Sequence, residues 1–138
     1  MHRPSAILVS STLVLVLLAA ACASKATSGA SAQEEKLTQA ATTLWDAKVK
    51  KDWGTVYDLT TAAYKQRVTK ADFLASSLVE IKAYTIKKVT IDQTGDTAQV
   101  EVAATIAQAG FDFPAAIKDK WQLENGGWHY VPATVPLK

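Results

Sequence analysis

A single cysteine among 138 residues rules out an intrachain disulfide and any metal site built from several thiolates. Two histidines, His2 and His129, are too few for a histidine-rich metal centre, and no HExxH spacing accompanies them. The chain also lacks a glycine-rich phosphate cradle and a GxSxG elbow, so the sequence implies no P-loop chemistry and no α/β-hydrolase triad. Neither sign of charge prevails. Fifteen Lys and Arg stand against 13 Asp and Glu, which leaves no electrostatic footprint for nucleic acid. The small basic clusters at Lys48, Lys50, Lys51 and at Lys87, Lys88 read as solvated faces or helix ends. No internal repeat or long low-complexity tract occurs, and no cofactor or metal is implied. Stability has to come from an ordinary hydrophobic core.

What is present begins with a leader. Arg3 gives a basic tip, Ala6 to Leu18 an apolar core, and Ala19-Ala20-Ala21 a small-residue exit before the lone Cys22. That layout is a secretory signal. With cysteine at its end it resembles bacterial lipoprotein signals, which implies cleavage before Cys22 and lipid on its thiol and amine, palmitate included. Ala19 stands where such signals usually carry Leu, and Leu18 lies one step earlier. The other readings are an uncleaved transmembrane helix, diluted by Ser10, Ser11 and Thr12; an ordinary cleaved signal with an incidental Cys22; and a buried core helix. The lipoprotein reading divides the chain into a signal (1–21), the lipidated Cys22 with a flexible tether (22–32), and one domain (33–138). Ala23 to Ala32, small and polar, supplies the tether. The address implied is a bacterial envelope: the outer membrane facing the periplasm in a Gram-negative host, given Ala23 rather than Asp after the cysteine, and the outer face of the plasma membrane otherwise.

The domain changes period midway. Leu37, Ala40, Ala41, Leu44 and Ala47 follow amphipathic-helix spacing, and Trp45 widens that face. Asp52 is placed to cap a second helix through Trp53, Val56 and Tyr57; Thr69 and Asp72 have capping-box spacing for a third. From Tyr84 to Ile91 the chain is β-branched, with Lys87-Lys88 breaking the alternation as a bulge does. Gly95-Asp96 makes a turn, Ala98 to Ile106 alternates cleanly, and Gly110 to Pro114 reads as a loop or edge break. Ile117 to Leu123 alternates again, and Asn125-Gly126 turns into a return strand from Gly127 to Val131. A two-residue turn there sets Leu123 opposite Trp128, Trp121 opposite Tyr130 and Gln122 opposite His129; a bulged turn through Gly127 would shift that register. Helices followed by antiparallel strands make an α+β domain.

The run LWDAKVKKDWGTVYDLTTAAY, then VTKADF, then DKWQLENGGWHYV resembles the NTF2-like, cystatin-like α+β cone domains over residues 34–132. Within them it is similar to small lipid-anchored bacterial envelope proteins. The resemblance implies three N-terminal helices packed on a curved antiparallel four-stranded sheet around a cavity. In enzymatic members an acid in that cavity moves a proton.

Asp119 is the candidate for such an acid, because alternation puts it on the face of Ile117, Trp121 and Leu123. It could equally sit near a strand end, bonded to water, a backbone amide or a tyrosine hydroxyl. Tyr57 is its candidate catalytic companion. Tyr64, Trp121 and Tyr130 are candidate binding residues, although all four aromatics also suit a core. His129 falls on the polar face opposite Gln122. The leading expectation is a lipid-anchored, non-catalytic protein that binds a small apolar ligand or an envelope protein. The alternatives are an isomerase- or dehydratase-type pocket enzyme with Asp119 as base, and a structural component that forms a homodimer.

Overall fold

The computed structural model describes residues 23–76 and 79–133. The leader and Cys22 lie outside the described residues. Helix α1 runs from Ala23 to Val49 and presents Leu37, Ala41, Leu44 and Trp45, all entirely buried, on the face the spacing predicts. Ala23 to Ala32 is helical rather than an irregular tether. Its alanines have the highest helix propensity of any residue and extend α1 N-terminally. The helix stops at Lys51, whose φ of 59° is left-handed, and the Asp52 N–H closes back on the Ala47 carbonyl at 2.8 Å.

Three more helices follow where two were expected. Helix α2 (Trp53–Asp58) starts at Asp52, whose Oδ1 accepts the Thr55 N–H at 3.1 Å. Helix α3 (Ala62–Lys65) is a single turn capped by Thr61, too short to leave a periodic trace in the sequence. Helix α4 (Lys70–Ser76) opens with the Thr69–Asp72 pair: the Asp72 N–H donates to Thr69 Oγ1 at 3.2 Å, and the Thr69 hydroxyl donates to the Asp72 carboxylate.

Four strands form one antiparallel sheet in the order β1-β2-β3-β4. They are β1 (Glu80–Ile91), β2 (Thr97–Gln108), β3 (Phe111–Glu124) and β4 (Gly127–Val131). Strand β1 slips register between Ile86 and Lys88, at the expected bulge, and again between Ile81 and Ala83. The segment from Gly110 to Pro114 is not a loop. Ala109 and Gly110, with φ of 52° and 82°, form a tight two-residue turn, and β3 starts at Phe111. Asn125-Gly126 makes the other two-residue turn and fixes the pairs Leu123–Trp128, Gln122–His129 and Trp121–Tyr130.

One sheet face carries Val100, Val102, Ala104, Asp119, Trp121 and Trp128, all buried, and receives α1. Strand β4 is bordered on its far side by the chain at Leu59–Thr61: the Tyr130 N–H donates to the Leu59 carbonyl and the Thr61 N–H to the Tyr130 carbonyl. Because β4 is short, it covers only Lys120–Glu124 of β3. From Phe111 to Asp119, β3 has β2 on one side and no strand on the other among the described residues.

Candidate functional site

An acid on a buried sheet face must be neutralised, protonated or hydrogen-bonded, because a bare carboxylate in apolar surroundings is prohibitively expensive. Asp119 meets that demand through α1. It is 3% exposed, and the fully buried Trp45 donates its indole N–H to Asp119 Oδ2 at 2.7 Å. One turn further along α1, Lys48 places its ammonium 4.1 Å from the Trp45 ring centroid and 4.8 Å from that of Tyr130. Such a cation held over two ring faces is stabilised by their quadrupoles. Trp121 packs against Tyr130 at 5.9 Å and completes the cluster.

The charges respond to this enclosure. Burial pushes the Asp119 carboxyl above the ordinary aspartate range, with attraction to Lys48 and the Trp45 hydrogen bond pulling the other way. Burial pushes the Lys48 ammonium below its ordinary value, and Asp119 offsets part of that. Tyr130 is raised by burial and by the negative charge of Asp119. Outside the cluster, Tyr84 is pushed up to about 12 by burial and by its hydrogen bond to Asp46 at 2.7 Å. Tyr84 also stacks on Trp45, with ring centroids 5.7 Å apart.

A raised Asp119 has a defined consequence for stability. A carboxyl with a folded pKa above its unfolded value favours the fold most below the unfolded value, about pH 4, and loses that contribution as pH rises through the folded value. Asp119→Asn retains a carbonyl for the Trp45 N–H and cannot ionise. The variant should therefore gain stability relative to the parent as pH climbs from about 4 toward neutrality. Urea midpoints measured across that range check this, and a gap independent of pH would contradict it.

The expected companion of Asp119 is elsewhere. Tyr57 donates its hydroxyl to the Val68 carbonyl at 2.8 Å and packs on Phe73 at 5.5 Å. Tyr64 meets the same Phe73 edge-on at 6.2 Å. These tyrosines tie α2, α3 and α4 together, while Trp121 and Tyr130 join Asp119. Trp45 and Lys48 belong to the site although the sequence points to neither: they stand three apart on one helix, but a lysine near a helix end ordinarily faces water and a tryptophan on an apolar face ordinarily packs in the core. His129 pairs with Gln122 as expected.

Two concavities leave Asp119 out. One of about 530 Å³ runs along α1 past Ser31, Glu34, Thr38 and Thr42. Another of about 520 Å³ lies on the sheet, where Ala83, Thr85, Ala103, Thr105, Pro114 and Ala116 contribute to its lining. Among the described residues no cluster of three or more His, Cys, Asp or Glu is placed to hold a metal, and no helix is long and apolar enough to cross a membrane. Exposed apolar side chains gather instead at one end of the sheet. Phe111 is 68% exposed and Phe113 50%, both beside the Ala109-Gly110 turn, and Val79 immediately precedes β1.

No family model matches the chain. No curated protein matches it either. Solved structures do. A solution structure of a SEC-C motif containing protein from Rhodopseudomonas palustris is similar with a TM-score of 0.52 and 13% identity, over 64% of this chain and 69% of that one. A crystal structure of a SEC-C motif containing protein from Psychrobacter arcticus gives a TM-score of 0.53 and 14% identity, over 67% of this chain. The chain spans only 56% of that second protein. At such identities the likeness concerns the fold alone. It corrects the NTF2-like resemblance, since these neighbours are SEC-C motif containing proteins. Helices followed by an antiparallel meander are an element order that unrelated families share, so that order could not select the family.

Proposed function

We propose that the chain is a bacterial envelope lipoprotein, held to its membrane through Cys22, whose α+β domain works by binding a protein and not by turning over a substrate. One observation carries the second half of this reading. The carboxylate best placed for proton transfer is closed in by Trp45 and attracted by Lys48, at 3% exposure, and lines neither of the two concavities described above. Asp119 thereby loses its support as a general base, and Tyr57, bonded to Val68, is not beside it. The exposed Phe111 and Phe113 favour a protein partner over a small ligand, because contiguous exposed aromatics mark interaction surfaces.

The first half rests on the basic tip, apolar core and small-residue exit before Cys22. A multiply acylated cysteine anchors stably, whereas one chain alone binds only marginally. Fractionation of an expressing bacterium, with labelled palmitate, tests it. The parent chain should sediment with membranes and carry label, and Cys22→Ala should do neither. Recovery of the parent in the soluble fraction, or of Cys22→Ala still in the membranes, would contradict the anchor.

A further inference from the structure

The part of β3 left unpaired among the described residues is the unusual feature of this sheet. The β1 edge is guarded by two register slips and by Lys82, Lys87 and Lys88, devices that discourage strand addition. The β4 edge is occupied by Leu59–Thr61. Phe111–Asp119 carries Pro114 and Lys118 but has no register slip and, among the described residues, no chain beside it. The Leu123 N–H donates to the Asp96 carbonyl, so odd-numbered β3 residues turn their backbone groups toward β2. Even-numbered ones face β4 or, beyond it, the open edge. Asp112, Ala116 and Lys118 thus offer outward N–H groups, and Pro114 sits where its missing N–H deprives the monomer of nothing.

We infer that two copies of this chain pair antiparallel along this edge, about a two-fold axis at Ala115. Ala115 is the midpoint of the open stretch, so this register pairs all of Phe111–Asp119 without displacing β4. It places Asp112 of each copy opposite Lys118 of the other on the outer face, and Pro114 opposite Ala116. On the inner face it sets the half-exposed Phe113 against Ile117. The outward N–H groups of Asp112, Ala116 and Lys118 then meet the carbonyls of Lys118, Pro114 and Asp112 of the second copy. Charge complementarity selects a second copy as the occupant: the outer face of the open stretch has one acid, Asp112, and one base, Lys118, symmetric about Ala115. Lys118 approaches Glu101 of its own β2 at 3.6 Å and stays exposed, within reach of a second carboxylate. The inference does not depend on the lipid anchor.

The test uses the whole chain expressed in a bacterial host. Residue 115 of the two copies meets as a non-hydrogen-bonded pair, with Cα atoms about 4.5 Å apart, a separation a disulfide spans. Ala115→Cys, made with Cys22 intact and also with Cys22→Ala, should form a linked dimer on oxidation. Asp112→Cys and Lys118→Cys should each stay monomeric alone and link when co-expressed. By sedimentation in detergent, Asp112→Lys should weaken self-association about tenfold, and Asp112→Lys with Lys118→Asp should recover it. A folded Ala115→Cys chain that never links, or links no better than the two single variants, would overturn the pairing. So would a parent that sediments only as a monomer.

Discussion

Trp45→Ala should lower the stability of the domain by about 5 kcal/mol, because two penalties fall on one site. Deleting a buried tryptophan leaves a cavity that the surroundings fill only in part, costing about 3–5 kcal/mol on its own. The same change strips Asp119 of its hydrogen-bond donor in a place where the carboxylate is 3% exposed. It also removes one of the two rings that hold the Lys48 ammonium and the ring that stacks on Tyr84. Since small domains are stable by only about 5–15 kcal/mol, this variant should be marginally folded. Trp45→Phe separates the two penalties. It keeps an aromatic ring and loses the N–H, so about 2–3 kcal/mol is expected, most of it from the stranded carboxylate. In an Asp119→Asn background the same substitution should cost about 1 kcal/mol less, since a neutral amide suffers less from a lost donor. Chemical denaturation of the four proteins measures this coupling, and strict additivity would contradict the hydrogen bond.

Trp121 supplies the contrasting case. It is 1% exposed and packs on Tyr130, so Trp121→Ala should also cost about 4 kcal/mol. Its indole N–H, however, has no hydrogen-bond acceptor among the described residues. Trp121→Phe therefore loses volume without stranding a partner, and about 1 kcal/mol is expected. The order of the two phenylalanine variants is the informative result. Trp45→Phe should be clearly the more damaging, although both tryptophans are buried to nearly the same degree. The reverse order would mean that packing alone, and not the bond to Asp119, sets the importance of Trp45.

These pairs also show which parts of the molecule a sequence discloses. Ala98 to Ile106 and the Asn125-Gly126 hairpin were legible because strand alternation and turn chemistry are local. The pairs Leu123–Trp128 and Trp121–Tyr130 follow from a two-residue turn alone. Asp52 and Thr69 were legible as caps for the same reason. The start of β3 was hidden by Gly110 and Pro114, residues that ordinarily mark a loop. Here Gly110 completes a tight turn, and Pro114 is tolerated because its nitrogen faces the open edge. The one-turn α3 left no periodic signal. The partner of Asp119 was the hardest to read, since Trp45 lies 74 residues away in sequence and nothing local couples them. Burial of Lys48 was hidden too, because three lysines near a helix end ordinarily face water.

Asp119 is a carboxylate closed into the core by Trp45, not an acid presented to a substrate. Titration of the Asp119 side-chain carbon by NMR tests it most directly, with the Trp45 indole proton followed in the same samples. The midpoint should lie above the ordinary aspartate value, and the Trp45 indole resonance should move with that same midpoint. An Asp119 that titrates as a solvated aspartate does, with the Trp45 indole indifferent to it, would contradict the claim and reopen the site to a substrate.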